Sequence, residues 1–184
     1  VAWNFEWDWE GGDKAQQRAL QLAPLEPSFL QWRAYFLAAM GRADEAVAAA
    51  EQAVRLAPRE FSALVTRTGI AYWTSRFDDA IHFADRALAV DGHAPTPMLF
   101  KHFALYKLGR FTEAKSLFDR VQAMLPNETI VVTMAAVYGF REGRAGDAQR
   151  LLDALVARHR DGFVEAVYVA GAYAELGEMD KAYA

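Results

Sequence analysis

Cysteine is absent from the 184 residues, proline occurs six times and histidine four, and the formal net charge is only −4. Without cysteine there is no disulfide framework, no zinc knuckle and no thiol nucleophile. A disulfide-free protein sits equally well in cytosol or periplasm, so this absence leaves the compartment open, with cytoplasm the expectation. Both signs of charge are mixed along the chain, and no basic stripe forms a nucleic-acid footprint. Long hydrophobic runs are also missing: the longest uncharged stretch runs roughly from Thr129 to Phe140. A membrane span needs about 18–20 apolar residues, so no membrane insertion is expected. Val1 is followed by aromatic and acidic residues instead of a basic n-region, and the absence of an initiating Met suggests a fragment.

What is abundant is alanine, 36 of the 184 residues. With so few prolines, that loading favours closely packed helices over β-structure. The small residues also recur. Gly12, Ala46, Ala80, Ala114, Ala148 and Ala182 are each 34 positions apart. The same period links Ala19, Ala53, Ala87, Val121 and Leu155; then Pro24, Pro58, Gly92, Pro126 and Arg160; then Gly41, Ser75, Gly109, Gly143 and Gly177. Four series sharing one period define a repeat.

Each unit reads as two helices. Phe29 to Met40 is apolar with helical spacing, Gly41-Arg42 breaks it, and Asp44 and Glu45 open a second helix that ends near Pro58. The later pairs run Phe61 to Thr74 and Asp78 to Val90, then Pro97 to Leu108 and Thr112 to Met124. Ile130 to Glu142 and Asp147 to His159 follow, and Val164 to Leu176 precedes a last opening helix. Pro95 and Pro97 suit a helix start, where a missing N–H costs little. Antiparallel helices joined by a short turn approach closely only where the crossing lacks bulk, so Ala80 and Ala114 mark crossings, with Phe77, Phe111 and Phe118 beside them. Ala80→Leu should therefore lose about 1–3 kcal/mol of stability in a thermal or denaturant melt.

Leu64…Ala80…Ala87…Gly92 and Gly109-Arg110-Phe111-Thr112-Glu113-Ala114…Phe118 resemble the tetratricopeptide repeat (TPR) family. The resemblance implies an all-α, right-handed α-solenoid of stacked helix–turn–helix repeats. Residues 1–184 would form one array: a partial repeat at 1–26, full repeats at 27–60, 61–94, 95–128 and 129–162, and a partial repeat at 163–184. Both ends then fall within a repeat, so the array is expected to continue, bind another domain or self-associate. Trp7-Asp8-Trp9-Glu10-Gly11-Gly12 and Gln31-Trp32-Arg33-Ala34-Tyr35 resemble bacterial arrays attached to winged-helix transcription regulators, class III nucleotide cyclases and some signalling kinases. Some positions depart from the family pattern. Arg33, Arg67 and Lys101 stand in a slot usually apolar, where their stems are expected to be buried while their charges reach water. His102 stands where a tiny residue is usual and is expected to disturb the packing of its repeat.

In such arrays the first helix of each pair lines a concave face that docks peptides. By repeat position the groove-facing candidates include Gln31, Tyr35, Val65, Tyr72, Trp73, Leu99, Phe103, Tyr106, Lys107, Thr133, Val137, Phe140 and Arg141; some rings could equally belong to the core between repeats. The set is aromatic in the middle and basic towards one end, a composition common in binding hot spots. Gln31, Tyr35 and Gly69 occupy positions where a carboxylate clamp needs Lys and Asn, so an apolar or amphipathic partner segment fits better than an acidic chain terminus. Arg42, Arg76, Arg110 and Arg144 also recur at the period, either facing an anionic partner or another domain, or paired with nearby carboxylates on a solvated edge. His82, His93, His102 and His159 have no ligand spacing, and no phosphate loop or isolated acid–base pair is visible. No catalysis, cofactor or metal is expected. Three functions remain: a protein–protein interaction module of a bacterial regulatory or signalling protein, a self-assembly module forming homo-oligomers through open ends, or an accessory region of an enzyme with catalysis upstream.

Overall fold

The computed structural model describes residues 8–161 and 166–183. Its helices are α1 (Trp9–Leu22), α2 (Pro27–Ala39), α3 (Ala43–Leu56), α4 (Phe61–Trp73), α5 (Phe77–Val90) and α6 (Pro95–Lys107). They continue with α7 (Phe111–Met124), α8 (Thr129–Arg141), α9 (Ala145–Asp161), α10 (Ala166–Glu175) and α11 (Met179–Tyr183). No strand occurs among the described residues. This is the all-α fold of consecutive helix–turn–helix repeats that the sequence implies. The expectations placed on Val1, Trp7, Gly162, Val164, Ala184 and the side chain of His159 lie outside the described residues. Two compact units are present, Val1–Leu117 and Phe118–Ala184.

In the first unit the hairpins are set by their ends. Pro27 and Pro95 begin α2 and α6, where no N–H is required and φ is already helical. The first helices end in a recurrent left-handed turn: Gly41 has φ 72° and Gly109 has φ 74°, while Ser75 adopts φ 59° without being glycine. At each turn a backbone N–H reaches back to a carbonyl five residues earlier: Arg42 to Leu37 at 2.9 Å, Arg76 to Ala71 at 2.8 Å and Arg110 to Leu105 at 2.9 Å. These bonds satisfy carbonyls that the helix end would otherwise leave without partners.

Between the helices lies an alanine-rich core. Ala46, Ala50, Ala53, Ala80, Ala84, Ala87 and Ala114 are all completely buried. Ala34, Leu37, Ala46, Val47, Ala50 and Ile70 form one cluster, and Ala71, Ala80 and Ala104 another, with Tyr72, Phe77 and Ile81 against it. Of the rings expected beside the crossings, Phe118 is buried, Phe77 is half-buried, and Phe111 is 39% exposed.

Two expectations need correction. Arg67 does not carry its charge to water; the residue is 1% exposed. Its Nη2 donates to Glu51 at 3.1 Å and Asp79 at 2.8 Å, and the guanidinium lies 4.6 Å from the Phe83 ring centroid. Carboxylates from α3 and α5 replace water. Arg33 is likewise buried and paired with Asp13, while Lys101 keeps partial exposure and pairs with Asp85. His102 leaves α6 an unbroken helix from Pro95 to Lys107. Its ring is fully buried, with Nδ1 3.0 Å from the Ala114 carbonyl oxygen. A carbonyl only accepts, so Nδ1 carries the hydrogen, and burial pushes the imidazole pKa down, leaving it neutral.

In the second unit, Phe118 stacks on Tyr138 with centroids 5.1 Å apart. Gly139 meets Ala148 so closely that an added Cβ would stand 3.2 Å from the alanine methyl. Arg158 donates to the Asn127 carbonyl at 3.3 Å and to Thr129 Oγ1 at 3.2 Å, joining α9 to the start of α8.

Candidate functional site

In the first unit, α2 and α4 lie side by side and leave a groove of about 320 Å³ between them. Helix α2 contributes Ser28, Gln31, Trp32 and Tyr35; helix α4 contributes Phe61, Ser62, Val65 and Thr66. Side chains three and four apart on a helix share a face, which is why the first turns of each helix supply a wall. Gln31 is buried in the floor, where its amide oxygen accepts from Thr66 Oγ1 at 3.3 Å and its Nε2 donates to Glu60 Oε2 at 3.4 Å.

A chain of rings runs on from this groove. Trp32 meets Tyr35 at 6.2 Å between centroids, Tyr35 meets Trp73 at 5.6 Å, and Trp73 meets Phe100 at 5.7 Å. Phe100 then contacts Tyr72 at 5.9 Å, and Tyr72 contacts Phe103 at 5.7 Å. The Trp32–Tyr35, Tyr35–Trp73 and Trp73–Phe100 pairs are edge-on, a preferred aromatic geometry. Most of these rings are half-buried, but Trp32 is 58% exposed and Trp73 53%. Both indoles are thus held by neighbouring rings while staying open to solvent.

Of the candidates read from the sequence, Gln31, Tyr35, Val65, Tyr72, Trp73 and Phe103 belong to this groove and its ring chain. Tyr106 is half-buried against Phe111 at 5.2 Å, and Lys107 is exposed in the last turn of α6. Phe140 and Arg141 belong to the second unit, where Phe140 is half-buried and Arg141 exposed at the end of α8. Trp32, Phe61 and Phe100 were not among the candidates. Gly69 was the available signal for Phe100: a Cβ there would stand 3.1 Å from Phe100 Cζ, so the missing side chain admits that ring.

The periodic arginines are paired with carboxylates. Arg42 holds Glu45 through two bonds of 2.7 and 2.6 Å, and Arg110 holds Glu113 through two of 2.7 Å. Hydrogen bonding from each guanidinium lowers the pKa of its glutamate. Arg76 reaches Asp44 at 2.7 Å, and Arg144 pairs with Glu142. Among the described residues no cluster of three or more His, Asp or Glu is placed to hold a metal, and no helix is long and apolar enough to cross a membrane.

Residues 27–60 match the family model described as Tetratricopeptide repeat. No curated protein matches the sequence. Among solved structures, a tetratricopeptide repeat protein from Parabacteroides merdae ATCC 43184 is similar at TM-score 0.78 and 16% identity, over 98% of this chain and 70% of that one. PilW, a type IV pilus biogenesis factor, is similar at TM-score 0.74 and 19% identity, over 98% and 84%. MamA is similar at TM-score 0.68 and 13% identity, over 86% and 93%. At these identities the likeness defines the fold alone: the chain has the tetratricopeptide-type fold, with a matching repeat at α2–α3.

Proposed function

We propose that the chain is a non-catalytic protein-interaction module that binds an apolar or amphipathic peptide segment, with the α2–α4 groove and the adjoining rings as the docking surface. The observation that carries this is the exposed pair Trp32 and Trp73, fixed by edge contacts beside an open groove. Rigid aromatic anchors lose little conformational entropy on binding and dominate interface energetics. Gln31, Tyr35, Tyr72 and Phe103 act in this reading as the floor and support of the anchors, with Tyr106 and Lys107 continuing the surface along α6. Phe140 and Arg141 are proposed as the corresponding contacts of the second unit. The single array over residues 1–184 is part of the same proposal. So is a place in a bacterial regulatory or signalling protein, which the resemblance of the N-terminal repeats supports.

The test is selection of peptides from a displayed random library against the 184-residue chain, followed by affinity measurement with Trp32→Ala, Trp73→Ala and the double variant. The expected result is a loss of at least about tenfold in affinity for the double variant, with circular dichroism and melting unchanged. Folded double variants that keep full affinity for every selected peptide would exclude this surface.

A further inference from the structure

The groove has an acidic end. Ser28 Oγ donates to Glu26 Oε1 at 2.9 Å, Gln31 Nε2 donates to Glu60 Oε2 at 3.4 Å, and Ser62 Oγ also donates to Glu60. Ser28, Gln31 and Ser62 line the groove, so these bonds tie two carboxylates to its rim where α2 and α4 begin. None of the eight lining side chains is charged, and neither Glu26 nor Glu60 pairs with a cation among the described residues. Glu26 also caps α2 by accepting from the Ser28 N–H at 3.3 Å. A carboxylate offers about four acceptor sites, and each of these two accepts two bonds, so both can accept more.

We propose that this groove takes its partner segment through an arginine side chain, with the guanidinium between the Glu26–Glu60 end and the exposed Trp32 ring. The inference rests on the groove reading and names what the groove accepts. Two carboxylates beside low-dielectric aromatic walls concentrate a negative potential. The face of an indole is itself electron-rich and attracts a cation. Arginine suits the site better than lysine because its planar, weakly hydrated guanidinium stacks on rings while its N–H groups fork onto carboxylates. Phe61 and Val65 offer apolar surface to its methylenes. The same charges disfavour a peptide that ends in the groove with its own carboxylate.

The test titrates the 184-residue chain with N-acetyl-arginine-N-methylamide and with the equally capped citrulline, lysine and leucine, following the Trp32 indole N–H by nuclear magnetic resonance. Capped arginine should shift this signal saturably, bind about fivefold more tightly than its neutral isostere citrulline, and weaken as salt is raised. Glu60→Gln should lower its affinity about threefold, whereas Glu128→Gln in the second unit should leave it unchanged. Citrulline or leucine binding as tightly as arginine would overturn the cationic assignment while leaving the groove standing. Lysine matching arginine would overturn the choice of guanidinium. No response of Trp32 to any of the four probes would remove both this inference and the groove reading on which it rests.

Discussion

The hairpins α2–α3 and α6–α7 solve one packing problem in two ways. The eighth residue of the first helix faces the crossing in both: Ala34 in α2 and His102 in α6, each completely buried. In α2–α3 the slot closes on methyl groups, with Ala34 clustered with Ala46, Val47 and Ala50. In α6–α7 an imidazole fills the equivalent space and bonds the carbonyl of Ala114, which stands in the same repeat position as Ala46. The slot therefore does not demand a small residue. It accepts either a methyl group or an imidazole whose Nδ1–H finds a carbonyl, a bond that offsets part of the cost of burying the polar ring.

The strongest way to break this comparison is to exchange the residues. Ala34→His would force an imidazole into a hairpin already closed on two alanines. Overpacking costs about 1–3 kcal/mol, and failure to align with the Ala46 carbonyl would add a desolvation cost of similar size. A loss of about 3 kcal/mol in urea unfolding is expected. A loss below about 0.5 kcal/mol would mean that both hairpins hold the same space and that the sequence difference is incidental.

The reverse exchange, His102→Ala, sharpens the comparison through pH. At neutral pH it removes one hydrogen bond and leaves a cavity, for an expected loss of about 1–2 kcal/mol. Burial lowers the folded pKa of His102 below the ordinary 6.5, so below that pH the unfolded chain binds a proton that the folded chain refuses. The wild type's advantage is therefore complete above 6.5 and shrinks as pH falls towards the lowered folded value. Thermal melts at neutral and mildly acidic pH should show the gap between wild type and His102→Ala narrowing with acid. A gap that stays constant or widens would show that His102 is not held neutral.

The same contrast explains what was readable in the sequence. The period placed the crossings because packing at the helix axis acts on every repeat alike: Ala46, Ala80, Ala114 and Ala148 are all at or below 1% exposure. It also placed Tyr35, Tyr72, Trp73 and Phe103 on first helices. What the local pattern could not disclose were side-chain contacts between helices. Arg67 looked like a cation bound for solvent, yet Glu51 lies 16 residues before it and Asp79 12 after, on two other helices. Phe100 joins the ring chain through Tyr72 and Trp73 on the neighbouring first helix, which only Gly69 hinted at, while Trp32 joins it through Tyr35 on its own helix. The acidic groove end was hidden for a similar reason, since Glu26 and Glu60 read locally as helix-start residues.

The smallest expected effect concerns the turns, where Ser75 and Gly109 occupy matching positions at φ 59° and 74°. Left-handed backbone costs a non-glycine residue about 1 kcal/mol, whereas glycine adopts it freely but loses more chain entropy on folding. The two exchanges should therefore be unequal. Gly109→Ser adds the strain and recovers only part of it through a stiffer unfolded chain, for a net loss of about 0.5 kcal/mol. Ser75→Gly removes the strain but loosens the unfolded chain, for a net gain of similar or smaller size. If Ser75→Gly instead destabilises in a denaturant melt, the serine hydroxyl contributes to the turn and the two turns are not equivalent. A clear gain would mean that backbone conformation alone ranks them, because the Arg76 N–H to Ala71 bond matches its counterpart from Arg110 to Leu105 within 0.1 Å, at 2.8 against 2.9 Å.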